Sequence, residues 1–483
     1  MAHEDLAQLA ALVGAVGVAL ALLTPRRVAL AGGIVLLAAA EGLFGFALAE
    51  STLRALVEEP TGIALLAVGA TGVAALAVVF VRTPAAVPVA LLGVAPFRVP
   101  VEVADEEAFL LLPLYVVLAA AAVATLVALA RGTRPDPIPV FLAAPVTAFV
   151  VLTAGSLLWS HDIRAGSIGL AFFYFPFTLG FALVARTTPA PWLHRALAVT
   201  LVALSTAFAA IGLWQSHTRT LFFAQDLEVA NAYTTFFRVT SVFKDPSLYG
   251  RYLVAALAVL LIGLWLDRTR VTIVLPLTVV LFACLYVSYS QSSFVALFAV
   301  VLATATVLGG RKLRTALAAG VAVAVVAAGG VTAASIADEG ARTATSGRSR
   351  LVSVTLDVVR EYPVAGVGLG GQPRASVEIT RKGMAKKNAS HTTSLTVAAE
   401  LGVVGLAVYG WLLVAGALGL LQVTMRDRAL GLCLSAVGLL LVVHSLFYAG
   451  FFEDPLTWGV LAVSAAALAA RKPSRQQEDV LAH

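Results

Sequence analysis

The sequence predicts an all-α polytopic membrane bundle of about 13–15 spans, with a long extracytoplasmic loop carrying an interfacial amphipathic helix. Hydrophobic residues make up 60% of the 483 positions and charged residues only 12%. Mean hydropathy is +0.93, far beyond the balance of a soluble globular protein. Apolar runs near the ~20 residues that cross a ~30 Å hydrocarbon core recur along the chain, separated by short links. Those links alternate in charge.

In order, the runs lie at 6–23, 28–49, 62–81, 85–97, 108–130, 138–159, 167–185, 196–214, 249–266, 271–288, 292–308, 313–331, 393–423, 429–448 and 455–470. The first follows only Ala2, His3, Glu4 and Asp5, without a basic n-region or a cleavage site, and reads as a retained span. The fourth is short and carries Pro84, Pro88 and Pro96, so it is kinked or re-entrant at best. Cys284 and Cys433 both sit in apolar runs, which argues against a disulfide framework or a thiolate metal site. No fixed-period repeat is visible.

Orientation follows from the basic residues. Alternate links hold Arg26, Arg27, Arg82, Arg131, Arg134, Arg186, Arg195, Arg268, Arg270, Arg311, Lys312, Arg426 and Arg428, which makes that side cytoplasmic. The short links of the other side carry only Arg54, Arg98 and Arg164, yet hold Glu50, Glu58, Glu59, Glu102, Asp105, Glu106, Glu107, Asp162, Glu453 and Asp454. The chain therefore divides into an N-terminal bundle (1–214), an outer loop (215–248), transmembrane helices (249–331), a large extracytoplasmic loop (332–392), C-terminal helices (393–470) and a cytoplasmic tail (471–483).

Two outer segments break the bias. Segment 215–248 carries Arg219, Arg238 and Lys244, and segment 332–392 carries nine basic residues against five acidic, with Lys382, Lys386 and Lys387 close together. An anionic ligand explains such a surplus, and phosphate matches the planar fork of arginine and the mobile charge of lysine. Two other readings stay open: long translocated loops escape the topological rule, and surface bases also attract anionic headgroups.

From Ser349 the chain reads as an amphipathic helix. Leu351, Val354 or Thr355, Val358 and Tyr362 fall on one side, and Arg350, Ser353, Asp357 and Arg360 on the other. Ser346 would cap it, Arg348 would stand in the first turn, and Pro363 would end it, with the apolar stripe in lipid. Gly366, Gly368, Gly370 and Gly371 then permit a tight turn. A dinucleotide-binding loop is discounted, because that motif needs a preceding strand and a βαβ unit.

Three stretches together resemble the O-antigen ligase and O-antigen polymerase superfamily, membrane glycosyltransferases that use polyprenyl-pyrophosphate-linked glycans. The first is RVTSVFKDPSLYG, with Arg238 and Pro246 at the family spacing and Ser241 and Ser247 where Gly and Asn are common. The second runs over 346–370, with Arg348, Pro363, Gly366 and Gly368 in place and Val352 replacing an aromatic residue. The third, NASHTTSLTVAAELGVVGL, keeps His391, Leu395, Glu400, Gly402 and Gly405, with Thr392 replacing an Asn. The resemblance covers roughly 230–410 and adds a LLWSHD turn at 157–162, while Ser293 stands where many relatives carry an arginine.

The resemblance implies a GT-C-like helical envelope and inverting, metal-independent glycosyl transfer. The donor would be an undecaprenyl-pyrophosphate-linked glycan and the acceptor a sugar hydroxyl of a glycan or glycolipid. The setting implied is the outer face of a bacterial cytoplasmic membrane, without cofactor or nucleic acid. Fixed guanidinium groups stabilise a departing diphosphate, and a histidine suits proton acceptance near neutral pH. Arg238, Arg348 and His391 are the catalytic candidates, and Arg350, Lys244, Lys382, Lys386 and Lys387 the substrate-binding ones.

Each has a plainer reading: Arg238 could snorkel and His391 could anchor the next helix. His161, His194, His217 and His444 read as structural, Asp245 as turn chemistry, Glu400 as a helix-start carboxylate, and Tyr249 and Trp458 as interfacial aromatics. The rival class is a lipid-linked oligosaccharide flippase or polysaccharide transporter. Such proteins place ionisable groups within the membrane, and here Glu41 alone lies deep in a predicted span.

Overall fold

The computed structural model describes residues 3–312, 315, 348–380, 390 and 392–470, except 104–105, 235 and 449. Twelve helices among the described residues are long and apolar enough to cross a membrane, and Pro84–Val94 and Pro455–Ala469 are shorter apolar helices. The all-α polytopic expectation holds. The predicted span 313–331 lies outside the described residues apart from residue 315.

Helices α1 (His3–Leu23) and α2 (Arg27–Glu58) form a tight hairpin. A Cβ on Gly17 would stand 3.0 Å from the Gly33 carbonyl, so small residues let these backbones approach. Next come α3 (Pro60–Arg82), a 3-10 turn, and α4 (Val87–Val94). Eight residues rise only about 12 Å, so α4 by itself is too short to cross. Its prolines produce the short element the sequence suggested.

The chain then departs from expectation in a two-stranded antiparallel hairpin, β1 (Val99–Val103) and β2 (Glu106–Leu110). The next span accordingly begins at Leu112 rather than 108, with Pro113 in the first turn of α5 (Leu112–Ala130). Helix α6 (Val140–Gly155) ends in a 3-10 turn over Ser156–Trp159. One further span is built from α7 (Ile163–Gly169), a π turn (Leu170–Tyr174) and α8 (Phe175–Val184).

Helix α9 (Leu193–Thr218) leads through α10 (Gln225–Ala232) to α11 (Pro246–Trp265). α11 is the axis of the C-terminal half, touching α9, α12 (Val271–Ser288), α13 (Gln291–Leu308) and α17 (Arg428–Ser445). Tyr249, Leu253, Val254, Ala255 and Ala256 on it are all fully buried. Tyr249 and Trp458 therefore belong to the core and not to an interfacial belt; the Trp458 indole N–H donates to the Phe452 carbonyl at 2.9 Å.

The described part of the large loop holds α14 (Arg348–Glu361) and α15 (Gln372–Thr380), which pack on each other and on α16 (Thr393–Arg426). The amphipathic helix is present, and protein covers the middle of its stripe while Leu351, Val354 and Tyr362 stay half-buried. Val358 is fully buried with Val367, Ala375 and Ala399, and Thr355 is buried beside it. The lipid contact expected for this stripe is corrected at Thr355 and Val358, which face protein. Ser346, the expected cap, lies outside the described residues. Helix α18 (Pro455–Ala469) closes the fold against α8 and α16.

Candidate functional site

The segment after Pro363 is threaded between two helix ends. The His161 N–H donates to the Val367 carbonyl at 3.0 Å, and the Leu369 N–H to Ser156 Oγ at 3.0 Å. On the other side, the N–H groups of Val367 and Gly368 donate to the carbonyls of Ala399 and Glu400 at 3.0 and 2.8 Å, and Val403 N–H to the Pro363 carbonyl at 2.8 Å. The glycines serve this close fit. Gly366, Gly368 and Gly370 all have positive φ, and a Cβ on each would collide with backbone of Glu400, Ser160 or Gly166. The LLWSHD turn and the PVAGVGLGG stretch are thus two halves of one joint, and Gly402 (φ 64°, ψ −162°) is the break in α16 that receives it.

Gln372 extends this joint. Its Nε2 donates to Ser376 Oγ at 2.9 Å and Thr355 Oγ1 at 3.3 Å, while its Oε1 accepts from the Ser390 N–H at 3.2 Å. The residue before His391 is thereby tied to α14 and α15. On the far side, Thr392 Oγ1 donates to the Leu446 carbonyl at 3.1 Å, at the end of α17. His391 itself lies outside the described residues, as do Lys382, Lys386 and Lys387. Arg348 opens α14 and Arg350 lies in its first turn.

Arg238 is held from both sides at the same end of the bundle. Its N–H donates to Asn231 Oδ1 and its carbonyl accepts from Asn231 Nδ2, both at 3.1 Å, while Nε reaches the Ser288 carbonyl at 3.5 Å. The next residues are clamped by the fully buried Gln215, whose Oε1 accepts from the N–H groups of Thr240 (3.1 Å) and Ser241 (2.7 Å). Ser241 adopts φ 55°, a left-handed geometry that suits glycine. Lys244 is exposed beside Asp245, whose carboxylate accepts from the Ser247 N–H at 2.6 Å and caps α11.

Beneath these segments lies a buried polar network that sequence reasoning missed. Arg251 on α11, 2% exposed, pairs with Asp454 and donates to His444 Nδ1 at 3.0 Å. An arginine has no acceptor, so His444 Nδ1 is the lone-pair nitrogen, and its Nε2–H faces Ser292 Oγ at 3.1 Å. Ser292, Ser290 and Ser293 continue as a hydroxyl cluster, with Ser290 and Ser293 oxygens 2.8 Å apart. Asp454 also caps α18, accepting from the Leu456 N–H at 2.8 Å. The network binds α11, α13, α17 and α18 together under the ends that carry Arg238 and Thr392. One sequence signal pointed to it: an arginine inside an otherwise apolar run.

Above it sit Arg98, Tyr448 and Glu453. Protein packed around the Glu453 carboxyl strips water from it and raises it, against the opposing pull of Arg98 and Arg251. Burial and the charge of Asp245 raise the Tyr448 phenol, whose ring lies 5.7 Å from the Arg251 guanidinium. Two other histidines keep structural partners: His161 Nδ1 lies 3.2 Å from Glu378, and His194 Nδ1 lies 3.3 Å from Asp427. Glu400 is buried against the amides of Gly370 and Gln372, in keeping with a structural part in the joint.

Fold and site together define a polytopic membrane protein whose polar machinery gathers at one end of a helical bundle. Residues 276–410 match the family model described as O-antigen ligase. That match bears out the resemblance to the O-antigen ligase and polymerase superfamily, and with it the broad class of a glycosyltransferase-like membrane enzyme. The matched region holds the second and third motifs and the serine cluster; the Arg238 motif precedes it. No curated protein matches the chain.

Proposed function

We propose that this protein transfers or polymerises glycan from an undecaprenyl-pyrophosphate-linked donor onto an acceptor sugar hydroxyl at the outer face of the cytoplasmic membrane. Arg238 and Arg348 face the diphosphate, with Arg350, Lys244 and the 382–387 lysines assisting. His391 takes the acceptor proton as that oxygen bonds to the anomeric carbon. The bond from that carbon to the diphosphate oxygen breaks with its electron pair, and inversion follows from attack on the opposite side. Charge grows on the departing diphosphate, where fixed guanidinium groups act without reorganising.

The observation that carries this reading is the convergence at one end of the bundle. Asn231 and Ser288 hold Arg238, Gln372 holds Ser390, and Leu446 holds Thr392. Both neighbours of His391 are thus tied to elements that meet the arginine-bearing segments.

Membranes carrying Arg238→Ala, Arg348→Ala or His391→Ala, supplied with lipid-linked oligosaccharide and acceptor, test it. Each variant should lose glycan transfer by roughly 10²-fold or more while the protein stays folded. Normal transfer in the Arg348 and His391 variants would overturn the mechanism. A flippase would instead move the donor across the bilayer and leave its diphosphate bond whole.

A further inference from the structure

A partly open cavity of about 990 Å³ lies between α4, α5, α8, α9, α11, α17 and α18, with its mouth at the end of the bundle opposite the candidate site. Leu118, Phe181, Leu197, Ile262, Leu434 and Trp458 are among its apolar walls. The short α4 supplies one wall of it through Pro88, Leu91 and Leu92. The volume stands at the top of the ~300–1,000 Å³ usual for small-molecule sites, and a long apolar chain would fill it.

The mouth has a different chemistry. Arg195, Arg268 and Arg270 line it, all exposed, and none of the three guanidinium groups makes a hydrogen bond or ion pair among the described residues. His194 and Asp427 stand beside them but bind each other at 3.3 Å, and Asp267 is the remaining acid of the α11–α12 turn. That turn is firmly built: the Arg268 N–H donates to the Gly263 carbonyl at 2.8 Å, and Thr269 packs on Gly263. Trp192 and Trp265, 44% and 43% exposed, occupy this same end, where indoles mark the headgroup level of a bilayer.

We propose that this cavity binds one anionic phospholipid from the leaflet opposite the glycan-transfer site. Its acyl chains enter the apolar space and its phosphate rests on Arg195, Arg268 and Arg270. Apolar walls retain any lipid; the unpaired arginines select an anionic one over a zwitterionic one, which brings its own cation to the mouth. The site is independent of the glycan donor, whose diphosphate belongs at the other end.

Native mass spectrometry of the full chain in detergent, titrated with phosphatidylglycerol or phosphatidylcholine, tests this without reading glycan transfer. The wild-type chain should retain one phosphatidylglycerol and hold phosphatidylcholine more weakly. Arg268→Gln/Arg270→Gln should lose the preference by roughly 25-fold, each basic residue near anionic lipid being worth about fivefold. Ala198→Trp, which fills the cavity and leaves the arginines in place, should lose retention of both lipids. Equal retention of the two lipids by the wild type, or an arginine pair variant that binds phosphatidylglycerol undiminished, overturns the proposal. So does displacement of phosphatidylglycerol by added polyprenyl diphosphate. Should Ala198→Trp fail to fold, the exposed arginine pair decides alone.

Discussion

At Gly402 the chain adopts φ 64° and ψ −162°, a region open essentially to glycine alone, while the Val364 carbonyl fills the place of a Cβ. Gly402→Ala should therefore destabilise by about 1–3 kcal/mol from backbone strain alone, and more from the collision. Thermal unfolding would show it, and an unchanged melting temperature would remove the joint from the account. Glu453 makes a different kind of claim. Its carboxyl is raised above the ordinary 4.5 by burial, so folding takes up a proton; the associated stability is complete below the ordinary value and lost as pH rises through the raised one. Glu453→Gln should thus melt higher than the wild type at pH above that window and alike below it. Parallel melting at every pH would contradict the assignment. Ser241 and Gly402 were both present in the motifs, yet their backbone reason was not legible, since only φ shows why a glycine belongs there.

Arg251 and Asp454 stand 203 positions apart and bind four helices at one point. Arg251→Met leaves a buried carboxylate without its partner and should cost about 3–5 kcal/mol, whereas Arg251→Met/Asp454→Asn keeps the α18 cap and should recover much of that loss. Equal melting of single and double variants would show the pair to be idle. Gln372 links α14, α15 and Ser390, so Gln372→Ala should destabilise by about 1–3 kcal/mol by orphaning the Ser390 N–H. It should also slow glycan transfer more than donor binding; unchanged transfer would detach this staple from the reaction. Helices were readable because twenty-residue apolar runs have no other use, and α14 stops at Glu361, just ahead of Pro363, which cannot continue it. The 99–110 hairpin and α10 were missed because they lie in polar links without strong periodicity. The partner of the α14 stripe was missed because periodicity reports that a face is apolar, not what covers it.

Across the whole molecule, charge separates two ends. One carries the joint, the Arg251 network, Arg238 and the flanks of His391; the other carries Arg195, Arg268 and Arg270 at the mouth of the apolar cavity. The surplus of bases in the outer segments was visible in composition alone, and so was the idea that they serve an anion. What composition could not hold was the joint between the 157–162 turn, the 363–371 stretch and α16, because its links are hydrogen bonds between positions far apart, as from Leu369 to Ser156. The central claim is that this end breaks a diphosphate bond as it forms a glycosidic one. Purified protein in liposomes with lipid-linked oligosaccharide and acceptor should release one polyprenyl diphosphate for each glycosidic bond made, and His391→Ala should suppress both together. Glycan movement without diphosphate release, or release untouched in His391→Ala, would contradict it.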